Sequence, residues 1–287
     1  MFKNTLKLLS ILLLLVLSFI YTESVTKTAR ESDLMMRKVI NYKNENDIKP
    51  KEPIINGDEM ILGYSGISVD KDKSYKNMKK DNKFDKNKIV YEDSLPKNTI
   101  SKTYDYYIKK GNVKIGGVAL IFKVNSNDNL DSLLSFIAKN NIKANFFVDG
   151  LWLSKNVDKA LSISYLDAEI YNLGYDGSYS KEYMSLTNNI IESVSLKKSN
   201  LCLNENKNDT DKELCKKKKM HSITPSLVDP TIFDVKEKLD KGIMISFDVS
   251  NLKMDNLGLI VKIITSRGYN TEKLSNLINE YAKKSQQ

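Results

Sequence analysis

The stretch Gly116–Gly150 constrains the fold of this chain more than any other. Residues 118–124 form a short apolar run after two glycines, which is typical of a strand buried on both faces. Residues 127–140 place leucine, isoleucine and alanine at helical spacing, behind an asparagine or aspartate that can cap the helix. Residues 142–148 are apolar again. The stretch therefore predicts a strand, a helix and a second buried strand.

The same alternation continues towards the end of the chain. Further strands are predicted at 168–171, 200–203, 219–225, 242–248 and, weakly, 269–274. Further helices are predicted at 153–164, 183–197, 208–218, 229–240, 254–267 and 277–282. Alternating elements of these lengths predict a parallel α/β fold. No glycine-rich nucleotide loop follows any strand, which argues against a dinucleotide-binding fold.

Two pieces of this region resemble the polysaccharide deacetylase (NodB-homology) family. The run Lys143–Gly150 reads K-A-N-F-F-V-D-G and is similar to that family's K-A-T-F-F-x-x-G. The run Ile121–Asn125 lies where the family has its first motif, T-F-D-D-G. The resemblance extends over about residues 115 to 280 and implies a distorted, incomplete (β/α) barrel of about seven parallel strands.

The resemblance also implies that every catalytic position is substituted. Lys123 and Val124 stand where the family has its base and a metal ligand, and Leu173 and Gly177 replace the two histidines of H-x-x-x-H. Asp248 stands where the family has its general acid, a histidine. The segment 203–207, which best matches R-P-P-Y-G, has no arginine. Leucine and glycine cannot ligate a metal through side chains, so the sequence predicts no metal, no other cofactor and no deacetylase activity.

Two interpretations of the remaining charged residues stay open. Asp149, Asp176, Glu205 and Asp248 are all predicted near the carboxyl ends of strands, where four carboxylates could bind a hard cation and support a rearranged hydrolase. We favour the alternative, in which Lys123 pairs with one or two of them and fills the former metal cavity. The candidate pocket comprises Lys123, Asn125, Asp149, Trp152, Tyr175, Asp176, Glu205 and Asp248.

Two aromatic residues near this pocket could have either a binding role or a structural role. Trp152 and Tyr171 could stack on sugar rings, but packing in the core or at its rim is the more common role of such side chains. His221 is the one histidine of the sequence and falls in a predicted strand, away from every motif position. One imidazole cannot form a metal site of the family type, so we expect a structural histidine.

The N-terminal third predicts an exported protein. Residues 1–21 read as a signal or membrane anchor, because two lysines precede an apolar run and no good cleavage site follows. Residues 22–56 are predicted to be a linker, 57–114 an extension that docks on the main domain, and 115–287 the deacetylase-like domain. The domain is therefore expected outside the cytoplasm, tethered to the cell membrane, or secreted if the signal is cleaved.

Charge and cysteines give weaker indications. The formal net charge is +9, and Asp70–Lys88 contains eight lysines against four aspartates. This run could attract an anionic polymer, namely teichoic acid, membrane headgroups or nucleic acid, but we favour a solvated surface, and no nucleic-acid motif is present. Cys202 and Cys215 are expected to be buried thiols, because the second is predicted beyond the ~7 Å Cα separation that a disulfide allows.

The sequence thus supports three hypotheses. The leading one is an exported, membrane-tethered, inactive deacetylase-like protein that binds a cell-wall glycan or an envelope protein. The alternative is an active deacetylase of N-acetylated peptidoglycan sugars with a rearranged site. The third is a structural envelope protein whose N-terminal segment carries the partner contacts.

Overall fold

The computed structural model describes residues 2–281. In its first helix, the side chains of residues 2–8, 10, 23–24, 26–28 and 30 lie outside this description. The chain divides into two compact units. The first contains the residues up to Lys49 together with Gly66–Ser94, and the second contains Pro50–Ser65 and the chain from Leu95 onward.

The described helices and strands follow one another in a largely alternating order. The helices are α1 Phe2–Glu31, α2 Leu34–Asn46, α3 Lys71–Lys79, α4 Asp131–Asn140, α5 Gly150–Lys155, α6 Val157–Tyr165, α7 Lys181–Ser195, α8 Asp209–Lys217, α9 Ile232–Lys238, α10 Met254–Ser266 and α11 Leu274–Leu277. The strands are β1 Ile54–Asn56, β2 Glu59–Ile61, β3 Gly66–Val69, β4 Tyr91–Ser94, β5 Tyr107–Lys110, β6 Ala119–Val124, β7 Ala144–Val148, β8 Glu169–Asn172, β9 Leu201–Leu203, β10 His221–Ile223, β11 Leu227–Val228 and β12 Met244–Asp248.

Ten strands of the second unit form one sheet in the order β1-β2-β5-β10-β9-β8-β7-β6-β12-β11. All neighbours are parallel except the β1–β2 pair. The sheet curls into an incomplete barrel, which confirms the predicted fold class. Residues 269–274 do not form the weak strand expected there, because their only strand-like pairing is the bridge between Val118 and Thr271.

The side chains of β6 alternate between two apolar layers and so fix the direction of its polar residue. Leu120, Phe122 and Val124 pack into the cluster formed with the surrounding helices. Ala119 and Ile121 pack into the cluster inside the barrel, together with residues of β9, β10 and β12. Because the side-chain period of a strand is two, Lys123 projects to the interior side, at the carboxyl end of the strand.

The predicted helix 153–164 is two helices in the structure. Asp149 caps α5 by accepting hydrogen bonds from the backbone N–H groups of Leu151 and Trp152. The backbone of Asn156, at φ −131° and ψ 44°, then interrupts the helical path before α6 begins. A cap at Asp149 starts α5 directly after β7, three residues earlier than the apolar periodicity indicated.

The prediction of two buried thiols is wrong. Cys202 in β9 and Cys215 in α8 form a disulfide, with their Cα atoms 6.4 Å apart. The prediction assumed that α8 descends from the level at which β9 ends. Instead, the turn 204–208 carries the chain beyond the strand before Asn208 caps the helix, so α8 returns to the level of Cys202 at Cys215.

The first unit has its own small core. Residues of α2 and α3 pack with the β3–β4 hairpin around Met36, Val39 and Met78. The helix α3 buries Tyr75 and Met78 in this core. In α1 the apolar side chains from Ile11 to Leu17 are exposed. Within the described part of the chain, no helix is both long and apolar enough to cross a membrane.

Candidate functional site

A cavity of about 460 Å³ opens where the strands of the barrel end. It is lined by Lys123, Asn125, Leu173, Gly177, Ser178, Tyr179, Leu203, Asn204, Glu205, Asn206, Asn208 and Asp211. These residues follow or end β6, β8 and β9, or begin α8. The carboxyl ends of the strands are where parallel β/α barrels bind their ligands, so this cavity is the candidate site.

Lys123 forms an ion pair with two carboxylates at this cavity. Its Nζ lies 3.0 Å from Glu205 Oε2 and 3.2 Å from Asp248 Oδ2. The three side chains are only 22%, 13% and 16% exposed, respectively. Lys123 and Asp248 are neighbours across β6 and β12, whereas Glu205 reaches them from the turn after β9.

Polar neighbours hold both carboxylates in place. Ser246 Oγ donates a hydrogen bond to Glu205 Oε1 at 2.7 Å. Asn125 Nδ2 donates to Asp248 Oδ1 at 3.1 Å, and Ser250 Oγ donates to the same oxygen at 2.6 Å. The charges of the ion pair are therefore compensated by hydrogen bonds, which burial of a charged group requires.

The ion pair shifts the titration of its members. Burial opposes the charged form of Lys123, but the hydrogen bonds and charges of Glu205 and Asp248 outweigh it and raise the pKa of Lys123. Burial likewise opposes ionisation of Asp248, but the hydrogen bond from Ser250 and the charge of Lys123 hold the pKa of Asp248 below its usual value. At neutral pH both groups are charged.

The other two candidate carboxylates lie elsewhere. Asp149 is buried and caps α5, and its second oxygen accepts a hydrogen bond from the backbone N–H of Gly177 at 3.0 Å. Asp176 is exposed at φ +48° in the turn between β8 and α7. Among residues 2–281, no group of three histidine, cysteine or acidic residues is arranged to hold a metal ion. The four carboxylates therefore do not converge.

The substituted motif positions do not all face the cavity. Leu173 and Gly177 line it with Lys123, as the predicted alignment requires. Val124 is fully buried in the apolar layer under the helices, on the opposite face of β6. Gly177 has φ +75°, a conformation that favours glycine, with no other group near the position where a Cβ would lie.

The predicted aromatic residues have structural surroundings. Trp152 is fully buried in the apolar layer, and its Nε1–H donates to the backbone oxygen of Asp128. Tyr175 is half-buried and stacks on Tyr183, with ring centroids 4.9 Å apart. Tyr171 is buried against Phe147, and its hydroxyl donates to Glu169 at 2.7 Å.

His221 is also enclosed, as a structural histidine would be. Its ring stacks on Tyr104 with centroids 4.0 Å apart, and burial lowers its pKa to about 4. Its Nδ1 is buried and forms no hydrogen bond with the described residues. The imidazole is therefore neutral at physiological pH, and it does not line the cavity.

Sequence reasoning missed several residues of the site. Ser246 alternates with the apolar residues of β12 and so reads as one polar position in a buried strand. Tyr179 lies in the loop before α7, and its hydroxyl donates to the backbone oxygen of Asn172 and accepts from the backbone N–H of Leu203. Asn208 and Asp211 begin α8. The signal for these two was the N-D-T-D run that opens the predicted helix 208–218, whose polar side chains were not assigned to the site.

Solved structures share this architecture. The structure of BA3943, a CE4 family pseudoenzyme from Bacillus anthracis, matches with a TM-score of 0.64 at 22% sequence identity over 87% of this chain and 96% of that chain. This chain has the polysaccharide deacetylase (CE4) fold. A family 4 carbohydrate esterase from Bacillus anthracis has the same CE4 fold, with a TM-score of 0.50 at 16% identity over 59% of this chain and 86% of that chain.

Two further CE4-fold structures widen the comparison. The Bc1960 peptidoglycan N-acetylglucosamine deacetylase matches with a TM-score of 0.52 at 16% identity over 60% of this chain and 92% of that chain. A BA3943 mutant with restored enzymatic activity matches with a TM-score of 0.64 at 21% identity over 87% of this chain and 99% of that chain.

Comparison of sequences gives less information about this chain than comparison of structures does. No protein-family model matches it. The uncharacterized protein YlxY of Bacillus subtilis (strain 168) is 31% identical over 156 residues, which are 54% of this chain and 49% of YlxY. The matched part thus spans about half the length of that relative.

Proposed function

We propose that this protein is an exported, membrane-tethered CE4-fold protein that has lost deacetylase activity and binds a cell-wall glycan in the cavity at Lys123. The observation that carries the proposal is the ion pair of Lys123 with Glu205 and Asp248. The charged groups of this ion pair occupy the position where the family motif places a base beside a metal.

Loss of catalysis follows from the chemistry of deacetylation. Cleavage of an acetamide requires polarisation of its carbonyl and activation of a water molecule, usually by a metal with three protein ligands. Lys123 is protonated and held by two carboxylates, so it cannot act as a general base at neutral pH. Leu173 and Gly177 offer no ligand atoms at the cavity wall.

Binding of a glycan is supported by the cavity lining. Amide and hydroxyl side chains form part of the wall, and those of Asn125, Ser178, Asn206 and Asn208 are half-buried or exposed. Such groups match the many hydroxyls of a sugar, which both donate and accept hydrogen bonds. Two proteins of the same fold are a peptidoglycan N-acetylglucosamine deacetylase and a pseudoenzyme, so loss of activity on this scaffold has a precedent.

Export and tethering are supported by two separate features. The disulfide between Cys202 and Cys215 is typical of proteins in oxidising compartments. The apolar side chains of α1 from Ile11 to Leu17 are exposed and available for contact with lipid. Cell fractionation tests this part of the proposal: the protein should appear with membranes, and recovery of all of it in the cytoplasm would overturn the tether.

One experiment separates a binding protein from an enzyme. The purified full-length chain is incubated with an N-acetylglucosamine tetrasaccharide in the presence of zinc, and acetate release and calorimetric binding are measured together. We expect binding with no acetate above the protein-free control. Metal-dependent acetate release would establish a working hydrolase with a rearranged site. Absence of both binding and release would overturn the glycan proposal.

A further inference from the structure

The disulfide closes the part of the chain that builds half of the cavity wall. Of the twelve residues that line the cavity, six lie between Cys202 and Cys215: Leu203, Asn204, Glu205, Asn206, Asn208 and Asp211. One of them, Glu205, is a partner of Lys123 in the central ion pair. The geometry of the cavity therefore depends on how this loop is held.

Noncovalent contacts hold the first half of the loop firmly. Asn204 donates its backbone N–H to Ile223 at 2.8 Å and accepts from Thr224 Oγ1 at 2.9 Å. Its side-chain amide donates to the backbone oxygen of Asn208 at 2.8 Å and accepts from the Asn208 backbone N–H at 2.7 Å. These bonds fix the turn itself but do not attach the helix that follows.

The second half of the loop, α8, has little apolar attachment of its own. Cys215 is the one buried residue of this nine-residue helix. The small apolar cluster beneath it consists of Met184, Met220 and the two cysteines, with Tyr179 and Leu214 partly buried against it.

Three other contacts of α8 involve partly exposed side chains: the Tyr107 hydroxyl donates to Asp209, Lys212 lies over the Tyr107 ring, and Lys216 pairs with Asp105. Helices of this length are marginal without packing, so the cross-link is the buried constraint on the position of α8.

We propose that Cys202 and Cys215 are positioning residues of the binding cavity, and that their disulfide holds α8 and the turn before it in the conformation that binds ligand. The proposal rests on the glycan-binding function proposed above. Without the cross-link, α8 loosens and carries Asp211 away from the cavity wall, while Glu205 keeps its contacts with Lys123 and Ser246.

The test compares two full-length variants. Cys202→Val with Cys215→Ala removes the cross-link while it keeps apolar side chains in the strand and the helix. Ile264→Ala, a buried position of α10 that faces the apolar layer, lowers global stability without touching the loop. Hydrogen exchange is measured for residues 204–217 and for β6 and β7, and affinity for the N-acetylglucosamine tetrasaccharide is measured by calorimetry.

In the cysteine variant we expect exchange in residues 204–217 to rise at least tenfold relative to β6 and β7, and the tetrasaccharide Kd to rise at least tenfold. In Ile264→Ala we expect neither change. If the cysteine variant exchanges and binds like Ile264→Ala, the disulfide has only a general stabilising role and the proposal is overturned. If the wild type does not bind the tetrasaccharide, the glycan proposal fails, and the exchange measurement alone decides whether the disulfide positions the wall.

Discussion

Lys123 and Asp248 face each other across β6 and β12, with the ammonium 3.2 Å from the carboxylate. By resemblance, the first stands where deacetylases have a base and the second where they have a general acid. Opposite charges at adjacent strand ends neutralise each other, so these two positions hold an ion pair at the edge of the cavity. The pair also makes the strand ends sensitive to substitution, which can be measured.

Substitution of Lys123 should lower stability more than substitution of a surface lysine. Lys123→Met keeps the volume but leaves Glu205 and Asp248 without a cation, and we expect a loss of about 1–3 kcal/mol, below the value for fully buried pairs. The control is Lys159→Met, whose partner Asp131 is 66% exposed, with an expected loss under about 0.5 kcal/mol. Urea unfolding measures both, and equal stability of the two variants and the wild type would contradict a structural ion pair.

The contribution of Asp248 should depend on pH. Its pKa is lower in the folded chain than in the unfolded one, so its stabilising effect is present above the unfolded value of about 3.9 and is lost as pH falls through the folded value. We expect Asp248→Asn to cost about 1 kcal/mol at pH 7, after allowance for partial exposure, and progressively less below pH 4.

The contribution of Lys123 to stability depends on pH in the opposite direction, at alkaline pH. The pKa of Lys123 is raised, so its contribution is complete below the unfolded value of about 10.4 and is lost as pH rises through the folded value.

Urea unfolding of wild type and Asp248→Asn at pH 3, 4 and 7 measures the acid effect. A stability difference that does not change between pH 3 and 7 would show that Asp248 does not act through its charge.

Much of the fold could be predicted because its strands are short, apolar and regularly spaced. Residues 118–124 and 142–148 contain β6 and β7, which carry Lys123 and Asp149 to the predicted end of the barrel. The joining of β5 to β10 was not predictable, because the pairing of Ile108 with Ile223 spans more than a hundred residues of intervening chain. Nothing in a local pattern specifies such a partner.

The site was predicted in part for the same reason. Strand ends located Lys123, Glu205 and Asp248, whose side chains do meet. Asp149 was predicted at the right end of the barrel, but as a cap it serves its own helix. Whether an aspartate after a strand caps a helix or faces a cavity depends on the backbone turn that follows the strand. The prediction that Cys215 is a free thiol was wrong because the conformation of the turn before α8 could not be predicted from the sequence.

Restoring ligands at the positions that face the cavity should create a weak metal site. Lys123→Asp, Leu173→His and Gly177→His supply three ligands, and we expect one zinc per chain with modest affinity, because no second layer of hydrogen bonds orients them. The positive φ of Gly177 should cost roughly 1 kcal/mol in stability when histidine replaces it.

Calorimetric zinc titration measures this variant against a control with alanine at residues 173 and 177. If zinc binds no better than in the control, Leu173 and Gly177 do not converge on Lys123 as the structure places them. Adding Val124→Asp should prevent folding rather than improve binding, because Val124 lies in the apolar layer and a carboxylate there would be unpaired.

Asp211 should be unfavourable for stability but needed for binding. It lines the cavity, burial raises its pKa, and it forms no ion pair with the described residues. Its charge therefore opposes folding at pH 7, and this cost disappears as pH falls through the raised pKa. We expect Asp211→Asn to raise stability at pH 7 by less than about 1 kcal/mol, and the gain to shrink in acid.

The same variant should bind the N-acetylglucosamine tetrasaccharide at least fivefold more weakly, because an amide accepts fewer hydrogen bonds from sugar hydroxyls than a carboxylate does (about two against about four). Glu213→Gln, an exposed change in the same helix, is the matched control and should alter neither property. Urea unfolding and calorimetry are measured on the same preparations. A stability loss in Asp211→Asn would show that Asp211 supports the fold, and an unchanged Kd would remove it from the binding surface.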